Sequence, residues 1–128
     1  MWTLALVIVL SVSAAYAAEG DAERGERAFQ RCYSCHSVDL QVTAKLQGPN
    51  LFQIVGRRAA AIPSFEYSTA MREQAAAGLT WDAATLDRYI ADPEAAVPGT
   101  LMSVPPLRDE QERADLIAYL ARSGRPAP

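Results

Sequence analysis

Cys32-Tyr33-Ser34-Cys35-His36 holds the only two cysteines and the only histidine of this 128-residue chain. Two thiols flanking two residues, with an imidazole directly after, have the spacing of a c-type haem attachment site. Each thiol can add to one haem vinyl group, and the adjacent histidine reaches the iron with a ring nitrogen. Covalent attachment retains the group in a chain too small to grip it well otherwise. Three competing readings fit less well. A redox dithiol sits at a helix start, usually after a strand, whereas Asp21 to Arg31 reads as helix. A structural zinc site wants four thiolate or imidazole ligands, and the chain has only Cys32, Cys35 and His36 to offer. A disulfide between Cys32 and Cys35 would close a tiny loop and stabilise little.

Upstream, Trp2 to Ala18 carries no charge and ends in Ala15-Tyr16-Ala17, the small-x-small pattern of a cleavage site. Residues 1–17 are read as a signal peptide. The alternative is an uncleaved N-terminal anchor, at the short limit for a span. Residues 18–128 then make one domain. All charged side chains fall within it, 12 basic against 15 acidic, for a formal net charge of −3. Export to a bacterial periplasm suits cysteines used for attachment; a retained segment would tether the protein to the membrane. A mildly acidic chain whose single lysine is Lys45 is not a nucleic-acid binder.

Downstream the pattern is helical. Asp21 caps a helix from Ala22 to Arg31, and Gly25 on its apolar face lets another helix approach closely. Gly48-Pro49-Asn50 is a turn. Leu51 to Val55 reads as a packed loop or a single helical turn. Ser68 caps a helix to about Ala77, and Thr80 caps another over Trp81 to Ala91, with Pro93 just beyond it. Pro98 to Pro106 is stiff and extended. Asp109, with Glu112 three residues on, opens the last helix in a capping-box-like pattern. No run alternates at period two for long, so the expectation is an all-α chain with loops.

His36 leaves one axial position on the iron. With no second histidine and an exposed Lys45, the candidates are Met102 on the proline-stiffened loop and Met71 inside a helix, where it can simply be core. Met102 is preferred. His/Met ligation raises the reduction potential and fills the sixth site, which favours electron transfer over oxygen chemistry.

In its ordered motifs the chain resembles the class I c-type cytochromes, close to the cytochrome c2 and mitochondrial type, from about Gly20 to Arg122. The resemblance rests on Gly25 and Phe29, Cys32-x-x-Cys35-His36, Gly48-Pro49-Asn50-Leu51 and Gly56-Arg57. It continues with Phe65-x-Tyr67, Leu79-Thr80-Trp81, Tyr89, Pro98-Gly99-Thr100-x-Met102 and Glu112 to Leu120. It implies a small fold of about four to five helices around one covalently bound haem c, with the N- and C-terminal helices crossing near Leu116 and Tyr119. It implies His36 and Met102 as iron ligands, and Pro49 as the acceptor that orients His36. Arg57, Tyr67, Trp81 and Thr100 match residues around the propionates, whose buried charge needs donors, and Tyr89 matches a tyrosine beside the methionine sulfur. The chain departs from the family at Met71, where an asparagine is usual, and at Val104, where an aromatic is usual. The lysine ring of mitochondrial members is largely missing.

The expected function is a monomeric, single-haem electron carrier that docks transiently with membrane or periplasmic redox proteins and has no small-molecule substrate. The alternatives are a haem enzyme or ligand-binding cytochrome with a labile sixth ligand, or a dedicated cytochrome subunit of an oxidoreductase complex.

Overall fold

A computed structural model describes residues 18–125. The expected signal or anchor segment, residues 1–17, lies outside them. The helices are α1 (Ala22–Ala28), continued by a 3-10 turn (Phe29–Arg31), α2 (Thr69–Ala76), α3 (Ala83–Ala91), α4 (Pro93–Ala96) and α5 (Glu110–Arg122). Among the described residues no helix is long and apolar enough to cross a membrane.

The frame is the crossing of α1 and α5. A Cβ at Gly25 would stand 1.9 Å from the Asp115 carbonyl oxygen and 2.7 Å from Tyr119 Cβ. Only a residue without a side chain allows that approach, so the packing role expected for Gly25 is the observed one. Beside the contact, the Phe29 and Tyr119 rings lie 5.4 Å apart, and Leu116 and Leu120 are buried. Each such leucine stabilises the fold by about 1.5–3 kcal/mol.

One buried carboxylate completes the crossing. Asp115 accepts hydrogen bonds from the Asp21 backbone N–H at 2.8 Å, Arg24 Nε at 2.7 Å, Arg24 Nη2 at 2.9 Å and Gln111 Nε2 at 2.9 Å. The Arg24 guanidinium leads these donors in holding its carboxyl far below the usual carboxylate range.

Two local expectations need correction, the cap at Thr80 and the full capping box at Asp109; two others gain detail. The all-α expectation holds with one small addition: β1 (Arg57–Arg58) pairs antiparallel with β2 (Thr80–Trp81), in the register Arg57 to Trp81 and Arg58 to Thr80. A ladder of two residues per strand is too short to show as alternation in sequence. Thr80 is therefore a strand residue, and Asp82 caps α3. The Asp82 carboxylate accepts from Thr85 N–H at 2.8 Å, and Thr85 Oγ1 accepts from Asp82 N–H at 2.9 Å. Pro93 lies just beyond α3, as expected, and begins the single turn of α4, where its fixed φ and missing N–H cost nothing. At α5, Asp109 accepts from Glu112 N–H as expected, but the Glu112 carboxylate pairs with Arg31 at 3.0 Å, so the box is half made.

Because the folded pKa of Asp115 lies below the unfolded one, its contribution is present above the unfolded carboxylate range and lost as pH falls through the folded value. Asp115→Asn is expected to lower the urea midpoint at pH 7. The gap to the parent should shrink below about pH 4. An equal gap at pH 7 and pH 3 would remove the ionised carboxylate from the account.

Candidate functional site

The attachment stretch begins where α1 tightens into its 3-10 turn. Cys32 N–H donates to Phe29 O at 2.8 Å, and Cys35 and His36 N–H donate to Cys32 O at 3.1 and 2.9 Å. Residues three and four apart on such a coil share a face, so Cys32, Cys35 and His36 are presented to one side. Both thiols are free and half-buried, and burial pushes the Cys32 thiol up.

The Gly48-Pro49-Asn50 turn folds back over His36. Gly48 N–H donates to Cys35 O at 2.8 Å and Leu51 N–H to Ser37 O at 2.7 Å. His36 Nδ1 lies 2.7 Å from the Pro49 carbonyl oxygen. A carbonyl only accepts, so Nδ1 carries the proton and the Nε2 lone pair is free for a metal. Burial lowers the His36 pKa, against the opposing effect of the Pro49 bond; at neutral pH the ring is uncharged, the form that ligates. A Cβ at Gly48 would stand 2.3 Å from His36 Cε1. Glycine is therefore required for the turn to lie flush against the imidazole.

The other candidate residues form two groups. In the first, the ladder sets Arg57 opposite Trp81. Arg57 is half-buried, and its Nη2 donates to Asn50 O at 2.7 Å. Among the described residues no carboxylate forms an ion pair with it. Burial pushes its pKa down, with Tyr67 opposing. Tyr67 packs edge-on against Phe65, and its hydroxyl accepts from Ile62 N–H at 3.2 Å.

The second group surrounds Met102, half-buried on the extended segment before α5. Tyr89 OH and Thr100 Oγ1 share a hydrogen bond at 2.6 Å, and Thr100 Oγ1 also accepts from Met102 N–H at 3.2 Å. The Trp81 and Tyr89 rings lie 5.0 Å apart and join the two groups. Thr100, grouped in the sequence with Arg57, Tyr67 and Trp81, is thus bonded to Tyr89 and to the Met102 backbone. Met71 is 9% exposed, within the hydrophobic core, in keeping with its reading as a core residue.

These residues fit a haem c. Two free thiols and a neutral imidazole with Nε2 available face one side. A half-buried guanidinium bonded only to a carbonyl suits an acidic propionate. The family model described as Cytochrome c matches residues 22–123. The chain belongs to the cytochrome c family. It is 48% identical over 109 residues to cytochrome c2 of Rhodomicrobium vannielii, covering 85% of this chain and 83% of that protein. It is 38% identical over 125 residues to cytochrome c-554 of Methylosinus trichosporium, covering 97% and 92%. Among solved structures it resembles cytochrome cH from Methylobacterium extorquens, with a TM-score of 0.70, 39% identity, and coverage of 79% of this chain and 97% of that one. As a family member it has the cytochrome c fold, carries one covalently bound haem c, and is a single-haem electron carrier rather than an enzyme.

Two features of this cytochrome were not legible as site features in the sequence. Gly48 read as a turn residue within a family motif and not as a neighbour of His36, since that contact depends on how the loop closes. Arg113, in the first turns of the last helix, carried no assigned role.

Gly48→Ala forces the loop off the His36 ring. The expected result is loss of the Nδ1–Pro49 bond and destabilisation by about 1–3 kcal/mol. Guanidinium unfolding and the Nδ1 proton resonance of the haem-loaded protein measure both, and an unshifted resonance would show that the ring tolerates the methyl group.

Proposed function

We propose that His36, through Nε2, and Met102, through its sulfur, are the two axial ligands of the haem iron, with Cys32 and Cys35 as its thioether anchors. The observation that carries this reading is the His36–Pro49 hydrogen bond at 2.7 Å, with Gly48 flush against the ring. It fixes the tautomer and aims Nε2, as the outer partner of a metal-bound histidine does. When bound, the haem supplies an iron that changes oxidation state by one electron.

The chain's own part is to keep that change small in structural cost. Pro49 holds the imidazole. Tyr89 and Thr100 steady the backbone at Met102. Arg57, Tyr67 and Trp81 would line the propionates of a bound haem, and Arg57 would offset their charge. A filled sixth position suits electron transfer rather than substrate chemistry.

Residues 1–17 serve as the export signal, and residues 18–128 work as a monomer in the periplasm. The support is the uncharged segment ending Ala15-Tyr16-Ala17. Docking with membrane or periplasmic redox proteins relies on apolar contact more than on charge. Leu101, next to Met102, is 79% exposed, and Tyr33, between the attachment cysteines, is 69% exposed. Lys45 is the only lysine in the chain, so no ring of lysines steers the encounter.

Met102→Ala in the haem-loaded protein is expected to abolish the weak long-wavelength absorption of an iron(III)–thioether bond. It should also lower the reduction potential and admit imidazole to the iron rapidly. An optical redox titration tests all three, and an unchanged spectrum would reject Met102 as ligand. For docking, stopped-flow association with the physiological redox partner should change only a few-fold between low and physiological salt. A steep fall would restore electrostatic steering.

A further inference from the structure

The segment after Met102 runs Ser103-Val104-Pro105-Pro106-Leu107-Arg108. No residue from Met102 to Asp109 belongs to a helix, strand or turn, and Pro105 and Pro106 have no N–H to donate. The prolines make it a stiff strut, so what fixes its far end also constrains Met102. That end is gripped by one side chain of α5. Arg113 Nη1 donates to the Leu107 carbonyl at 2.9 Å and the Arg108 carbonyl at 3.0 Å, while Arg113 Nε donates to Asp87 Oδ1 on α3 at 2.7 Å. Its side chain is 13% exposed. Leu107 is buried, and its N–H donates to the Ile90 carbonyl on α3 at 3.2 Å. The near end is held independently by Thr100 and Tyr89.

We infer that Arg113 is a positioning residue for the sixth ligand: by clamping Leu107 and Arg108 to α3 and α5 through the proline strut, it holds the Met102 sulfur in place. The inference rests on Met102 being that ligand. Arginine suits the task because its planar fork reaches a carboxylate and two carbonyls at once, which a lysine ammonium cannot do with the same geometry.

The test uses the haem-loaded full protein and imidazole as the probe of the sixth position. The thioether absorption of the parent, and its loss in Met102→Ala, are recorded first; if Met102→Ala leaves the spectrum unchanged, both the ligand reading and this inference fail. If Met102 is the ligand, Arg113→Met is expected to tighten apparent imidazole binding about tenfold and weaken the thioether absorption. Arg113→Lys and Asp87→Asn should give smaller changes in the same direction. Arg24→Ala, which removes donors from Asp115 at the α1–α5 contact and no bond to Leu107, Arg108 or Asp87, separates positioning from general loosening. Affinities are compared at equal distance from each variant's denaturation midpoint. Arg24→Ala should stay within about twofold of the parent. If Arg113→Met stays there too, or the Arg24 variant rises with it, Arg113 does not position Met102. Should Arg113→Met fail to fold, the lysine and asparagine variants decide on the same criterion.

Discussion

The approach of α1 to α5 at Gly25 is the constraint on which the site depends. A helix backbone 1.9 Å from an imagined Cβ leaves no room for another residue there. The contact fixes where α1 ends, and Cys32 follows directly on the 3-10 turn that closes it. Phe29, Leu116 and Leu120 supply the apolar burial, and the Asp115 network satisfies the polar groups that the crossing takes out of water. The position of the thiols and of His36 is thus inherited from a helix–helix contact that touches none of them.

From that origin the loops do the rest with few regular elements. The turn at Gly48 and Pro49 closes over His36 and sets its tautomer through one carbonyl. The two-residue ladder pairs half-buried Arg57 with buried Trp81, and the Arg57 guanidinium reaches the Asn50 carbonyl. On the Met102 side, hydrogen bonds from side chains replace secondary structure. Thr100 bridges Tyr89 and the Met102 N–H, and Arg113 binds the strut beyond. An electron carrier benefits from this economy, since residues held by many fixed hydrogen bonds reorganise little when a charge changes beside them.

The surface gives a different emphasis from the interior. The interior motifs are those of the cytochrome c family, while the residues flanking the attachment site and Met102 include exposed Tyr33, Leu40 and Leu101 and only one lysine. The same electron-transfer core can serve different partners because docking is governed by side chains that the core does not constrain.

Cys32, Cys35 and His36 stand out in the sequence because covalent haem attachment demands fixed residue types at fixed spacing. The α1 and α5 helices and the role of Gly25 were equally legible, because their periodicity and caps are local. Met102 could be favoured by elimination, since the chain has no second histidine and few methionines. The β1–β2 ladder was not legible, because two residues per strand leave no alternation to read. For the same reason the local pattern suggests a cap at Thr80, whereas pairing with Arg58 commits it to a strand. Gly48 against the imidazole, Asp115 between two helices, and Arg113 on the Leu107 and Arg108 carbonyls arise from contacts between distant or folded-back segments. Local sequence determined which residues can bind and which segments coil. Only the tertiary structure decided which polar groups meet, because a buried donor finds its acceptor by the closure of the whole chain.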